Sequence, residues 1–201
     1  MAGTAVAPPD VITRRLSPRS PGERDEMRAL GVLAFDGATT DRSLASPAHR
    51  IHRHAMHASA VLNEAYHYAT PVSFSRGIRF DLGDKTLLLI SGTASVDEAG
   101  RTAHAGDFRA QLWRTFRNIT SLLSAEGATW HDIVRTTCYL RDIERDYTDF
   151  NDIRTAFFTW LRLEPLPAST GIQARLCRED LLVEIEAIAI MVRRDAHERP
   201  L

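Results

Sequence analysis

Two amphipathic stripes, with an alternating run of strand length between them, constrain this chain more than any other feature. Phe108, Leu112, Phe116, Ile119, Leu122 and Leu123 recur at spacings of three and four, which predicts a helix over 107–126 stopped by Gly127. Phe150, Ile153, Phe157, Trp160 and Leu161 repeat the pattern and predict a second helix over 147–162, with Asp146 as its N-cap. Between them Ile133, Arg135, Thr137 and Tyr139 alternate with Val134, Thr136, Cys138 and Leu140, the signature of a strand with one face under helices. Further strands are expected over 72–81, 86–95, 168–176 and 182–192. This order implies an α+β fold with one mixed sheet and both helices on one face. The other face needs a cover, and copies of the chain in closed symmetry would supply it, so a homo-oligomer is expected.

Composition excludes several classes. With 201 residues, 44% hydrophobic and 25% charged, the chain can build one main core. Its longest apolar runs, 86–90 and 185–192, are far short of the ~18–20 residues of a membrane span. A net charge of −1 gives no basic field, so nucleic acid is not the expected partner. Lys85 is the only lysine, a skew that reads as codon usage rather than function. Two cysteines do not make a disulfide scaffold, and a reducing cytoplasm fits. Cys138 reads as a small core residue, Cys177 as a more exposed one.

Residues 1–60, with Pro8, Pro9, Pro18 and Pro21 and no usable period, read as a largely irregular or docked arm. Within it 31–35 has the length of a short strand. Residues 61–195 read as the folded domain and 196–201 as a tail. No apolar segment follows Arg14 and Arg15, which argues against a secretory signal; the scarcity of acids before Glu23 is compatible with a transit peptide. His49, His52, His54 and His57 are spaced by 3, 2 and 3 without a cysteine or acidic partner, which does not match a structural zinc pattern. They read as surface histidines, and no metal or other cofactor is expected.

The last third of the chain carries a resemblance. Pro167-Ala168-Ser169-Thr170, followed by Val183-Glu184-Ile185-Glu186-Ala187-Ile188-Ala189, resembles the C-terminal signature of the RidA/YjgF family. Ile90-Ser91-Gly92, Gly106-Asp107 with Gln111, and Asn151 ahead of Phe157-Phe158 are similar in order, so the resemblance spans about 70–192. It implies a chorismate-mutase-like (RidA) fold, a homotrimer whose sheets line a barrel, and ligand clefts between subunits that take a small-molecule substrate. Where deaminating members carry an arginine that grips the substrate carboxylate, this chain has Ser169, and their tyrosine near the first strand falls on Phe74. Ser91-Gly92-Thr93-Ala94-Ser95, His104-Ala105-Gly106-Asp107 and Cys177-Arg178 are similar instead to the catalytic domain of chorismatases, relatives with the same fold.

Alternation along 182–192 places Glu184 and Glu186 on one face with Leu182 and Ile188. A carboxyl on a mostly apolar face has a raised pKa, as a general acid near neutral pH requires. Pairing of Glu184 with Arg175 across the hairpin is the structural alternative, and the resemblance favours catalysis. Ser169, Gly171, Gln173 and Arg175 share a face of the preceding strand, where Gln173 and Arg175 could hold a carboxylate or enol ether oxygen. Gly92, Thr93 and Ala94 offer backbone N–H groups at a strand end, and the resemblance gives Asn151 a place at the interface. Substrate contacts are thus expected from Phe74, Gly92, Thr93, Ala94, Asn151, Ser169, Gly171, Gln173 and Arg175. Three functions fit: chorismatase-like acid/base hydrolysis or elimination on a small carboxylated metabolite, possible in specialised metabolism; enamine/imine deamination with a displaced arginine; or a trimer that binds ligand without chemistry.

Overall fold

A computed structural model describes residues 20–29, 51–68 and 72–192. The chain divides into two units, Met1–Arg50 and Ile51–Leu201. In the first, helix α1 (Pro21–Ala29) forms where the sequence offers start signals without periodicity. Ser20 Oγ accepts from the Glu23 amide at 3.1 Å, and Pro21 occupies the first helical position, where its missing N–H costs nothing. The possible strand at 31–35 lies outside the described residues.

The second unit is one six-stranded sheet in the order β1-β2-β3-β6-β4-β5. Its strands are β1 (His52–Ala55), β2 (Gly77–Leu82), β3 (Lys85–Ala94), β4 (Ile133–Leu140), β5 (Ala168–Gln173) and β6 (Val183–Val192). All neighbours are antiparallel except β4 and β5. That parallel pair is joined by helix α3 (Ile143–Leu161), and helix α2 (Phe108–Ala125) precedes β4. The α+β class and mixed sheet are therefore as expected. β1 extends the sheet into the segment expected to be an arm, and the sheet begins before residue 61. Its residues, His-Arg-His-Ala, carry no apolar alternation, because an edge strand exposed along its length has little to bury.

β2 begins at Gly77 rather than 72. The preceding backbone bonds elsewhere: the Val72 amide donates to Ala65 O at 3.1 Å, and Ser91 Oγ to Ser75 O at 2.8 Å. Helix α3 opens one turn earlier than expected, with Asp142 accepting from the Arg145 amide at 3.0 Å. Asp146 lies inside the helix, nearly buried and gripped in a two-pronged pair by Arg145.

Val183, Ile185, Ala187 and Ala189 of β6 face the helices together with Leu88 and Ile90 of β3. On them sit Leu112, Phe116, Ile119 and Leu123 of α2 and Phe150, Ile153 and Phe157 of α3. Phe116 stacks on Phe157 at 4.7 Å between centroids, and Trp130 stands edge-on to both. Such pairs add roughly 0.5–1.5 kcal/mol beyond the area they bury. Trp130 Nε1 donates to Thr120 Oγ1 at 2.8 Å, which satisfies its one polar atom. Trp160, expected on the buried stripe, is 76% exposed and stacks on Phe157. On the opposite sheet face Leu89, Ile172 and Ile190 are exposed, with Ile78 and Ile188 partly so.

Candidate active site

The antiparallel ladder between β3 and β6 is interrupted between Ile90 and Thr93, and this irregularity makes the site. Bulges re-aim side chains, and here the extra residue brings Ser91 and Gly92 to the wall of a cavity of about 820 Å3. Glu184 reaches into it from β6. A Cβ at position 92 would stand 2.1 Å from Glu184 Oε1, so only glycine leaves the carboxyl its place against the backbone. Burial raises the Glu184 pKa above the ordinary carboxylate value, and the neighbouring Glu186 charge pushes it further. The alternative pairing is not formed: Arg175 reaches Glu179 at 3.9 Å on the surface, and among the described residues no arginine bonds Glu184. Glu186 accepts from Tyr139 Oη at 3.1 Å.

The rest of the lining includes a cationic and aromatic group. Arg76 is 5% exposed, and its guanidinium lies 5.0 Å from the Tyr68 ring centroid and 5.4 Å from that of Phe74. Its Nε and one terminal nitrogen donate to Asn63 O at 3.0 and 2.7 Å. Burial and the charge of Arg178 lower its pKa to about 10 against the pull of Glu64, which leaves it charged at neutral pH. Arg178 lies 5.6 Å from the Tyr68 ring centroid and donates to Gly100 O at 2.6 Å. Gly100 has φ +76°, and a Cβ there would meet the Tyr68 ring at 2.1 Å, so the aromatic wall also depends on a glycine.

The loop that carries Cys177 and Arg178 is fixed from the core. Gln111 is fully buried; its Nε2 donates to Asp180 O at 2.8 Å and to His104 O at 3.2 Å, and its Oε1 accepts from the Leu182 amide at 2.8 Å. Arg141 adds bonds to Leu181 O and Arg178 O.

The candidates read from sequence fall into two groups. Phe74, Gly92, Ala94 and Glu184 line the cavity. Thr93, beside them in the chain, is buried and donates to Ser91 O at 2.8 Å. Asn151, Ser169, Gly171 and Gln173 lie on α3 and β5, whereas Arg175, expected on the same strand, lies beyond the end of β5 at Gln173. Ser169 accepts from Thr136 Oγ1 and from Arg154, both at 3.1 Å, and Arg154 also holds Asn151 Oδ1 at 2.6 Å. Gln173 Oε1 accepts from the Ile143 amide at the start of α3, and Gly171 lies beside Tyr147. Tyr68, Arg76 and Gly100 gave no signal among 24 arginines and many turns; Arg178 was visible only as part of Cys177-Arg178. Of the histidines, His52, His54 and His57 approach three different carboxylates, Asp81, Glu126 and Glu64. His49 lies outside the described residues. Cys138 is buried, its thiol pKa raised by that burial, and Cys177 is exposed at the cavity.

Comparison with known proteins agrees with this fold. Residues 67–191 match the family described as Endoribonuclease L-PSP. The 2-iminobutanoate/2-iminopropanoate deaminase of Salmonella typhimurium is 33% identical over 110 residues, 55% of this chain and 82% of that protein. The 3-aminoacrylate deaminase RutC of Acinetobacter baylyi is 30% identical over 103 residues, covering 51% and 78%. Among solved structures, the YjgF gene product of Escherichia coli superposes with a TM-score of 0.51 at 29% identity, over 66% of this chain and 98% of that one.

Proposed function

Because this chain belongs to the RidA/YjgF family, described as Endoribonuclease L-PSP, we propose that it hydrolyses the carbon–nitrogen double bond of a small carboxylated imine, formed directly or by tautomerisation of an enamine. The observation that carries this reading is the Glu184 carboxyl, desolvated, seated on Gly92 in the cavity and unpaired among the described residues. A group of that kind can pass a proton between water and substrate. Water adds to the imine carbon while one of its protons goes by way of Glu184 to the nitrogen; the hydroxyl proton of the tetrahedral adduct then passes to the amino group, the C–N bond breaks, and ammonia and the ketone leave. No cofactor enters this scheme.

A homotrimer belongs to the same proposal. The exposed Leu89, Ile172 and Ile190 give the open sheet face something to bury, and the Asn151–Arg154–Ser169 group lies apart from the cavity of its own chain. A second reading, chorismatase-like hydrolysis of an enol ether, is favoured by the cavity volume of about 820 Å3. That volume falls in the ~300–1,000 Å3 range of pockets that take drug-sized ligands and exceeds the need of a four-carbon imino acid. Incubation with 2-iminobutanoate generated in place by an amino-acid dehydratase should accelerate ammonia release. Release of pyruvate from chorismate instead would establish the second reading, and turnover of neither would leave a binding protein.

A further inference from the structure

We infer that the Arg76 and Arg178 guanidinium groups, with the Tyr68 ring and hydroxyl beside them, form the carboxylate-binding end of the cavity. The inference rests on the cavity being the substrate site and names the group that orients substrate toward Glu184. A guanidinium has five N–H donors. Two of those on Arg76 and one on Arg178 go to backbone carbonyls, and the rest have no acceptor among the described residues. Two like charges held against one ring repel each other, and Glu64 acts on Arg76 from a distance without an ion pair, so a bound anion would relieve the repulsion further.

The protein's own carboxylates do not fill that place. Glu64, the acid nearest Arg76 in charge, is hydrogen-bonded to His57 at 2.8 Å and forms no ion pair with Arg76. Asp97 is taken by Arg101 at 3.0 Å and Glu98 by Arg114 at 3.3 Å. Among the described residues Glu184 has no cationic partner. The Tyr68 hydroxyl is buried and has no hydrogen-bond partner among the described residues, so a further donor stands ready in the same wall. Ser169, which cannot grip a carboxylate as an arginine does, is engaged with Thr136 and Arg154. Phe74 and Tyr68 give the anion site aromatic flanks, which suits a carboxylate attached to a flat, unsaturated group.

Binding of benzoate and of its neutral counterpart benzamide to the full chain, measured by calorimetric titration, tests this without requiring turnover. Benzoate should bind and benzamide should bind much more weakly. Arg178→Gln should cost benzoate on the order of tenfold or more in affinity, as expected for a lost charged hydrogen bond, and Tyr68→Phe a smaller factor. Arg178 is chosen over Arg76, whose burial and bonds to Asn63 O tie it to the fold. Arg109→Gln, an exposed arginine paired with Asp149, should leave the affinity unchanged. Glu184→Gln should bind benzoate at least as well as the parent while losing turnover, so loss of the catalytic reading would leave this one standing. Equal binding of benzoate and benzamide, no benzoate binding, or full affinity in both Arg178→Gln and Tyr68→Phe would overturn it.

Discussion

The helix-covered face of the sheet and the cavity at the β3–β6 irregularity are held by different physics. The first is a contiguous set of buried aliphatic and aromatic side chains, fixed by close packing. The second is held by point contacts: two glycines that admit a carboxyl and a ring, a buried glutamine bridging three backbone groups, and arginines bonded to carbonyls. Packing of the first kind tolerates repacking at some cost in stability. In the second, a single added methyl or lost amide moves a functional group. Mutations in the two regions should therefore separate stability from activity.

The largest effect on stability belongs to the packed face. Phe116→Ala removes the ring stacked on Phe157 and facing Trp130, and should lower unfolding free energy by about 3–5 kcal/mol, read by chemical denaturation. Activity per folded molecule should be unchanged, and a selective loss of activity would break the comparison. The complementary change, Glu184→Gln, should reduce turnover by ~10²–10⁴-fold with the fold intact.

Its stability should respond to pH in a defined sense. In the unfolded chain Glu184 loses its proton near the ordinary carboxylate value, whereas in the folded chain it does so only at higher pH. Between those two values the folded state holds more protons, so this group makes stability fall as pH rises. Melting of Glu184→Gln should lack that contribution and lie level with or above the parent at neutral pH.

Smaller effects sharpen the contrast. Gly92→Ala should displace the Glu184 carboxyl and cut turnover at little cost in melting temperature, since the obstruction is a side chain end rather than core. Gln111→Leu takes the partner from Asp180 O, His104 O and the Leu182 amide and should cost about 1–3 kcal/mol in all. It should weaken substrate binding through the Arg178 loop as well. Asp142→Ala, which removes the N-cap of α3, should cost about 1 kcal/mol and leave activity alone.

The same division explains what could be read from the sequence. The stripes of α2 and α3 and the alternation of β6 were legible because burial on one face imposes a period. Glu184 stood out as a carboxylate within such an alternation, flanked by Val183 and Ile185. β1 was missed because its four residues bury almost nothing, and the cap of α3 falls on Asp142 rather than Asp146, both being aspartates ahead of the same apolar stripe. Tyr68, Arg76 and Gly100 were illegible for another reason. They meet through loops from separate parts of the chain, and no spacing announces that a ring will rest on a glycine or a guanidinium on a carbonyl.

The pH dependence of kcat/KM for imine hydrolysis, measured on the parent and on Glu184→Gln, tests the central claim most directly. The account predicts that the parent shows a limb governed by a group titrating above the ordinary carboxylate range, and that this limb disappears, with most of the rate, in the variant. A parent profile without that limb, or a Glu184→Gln variant that keeps both the rate and the limb, would contradict it.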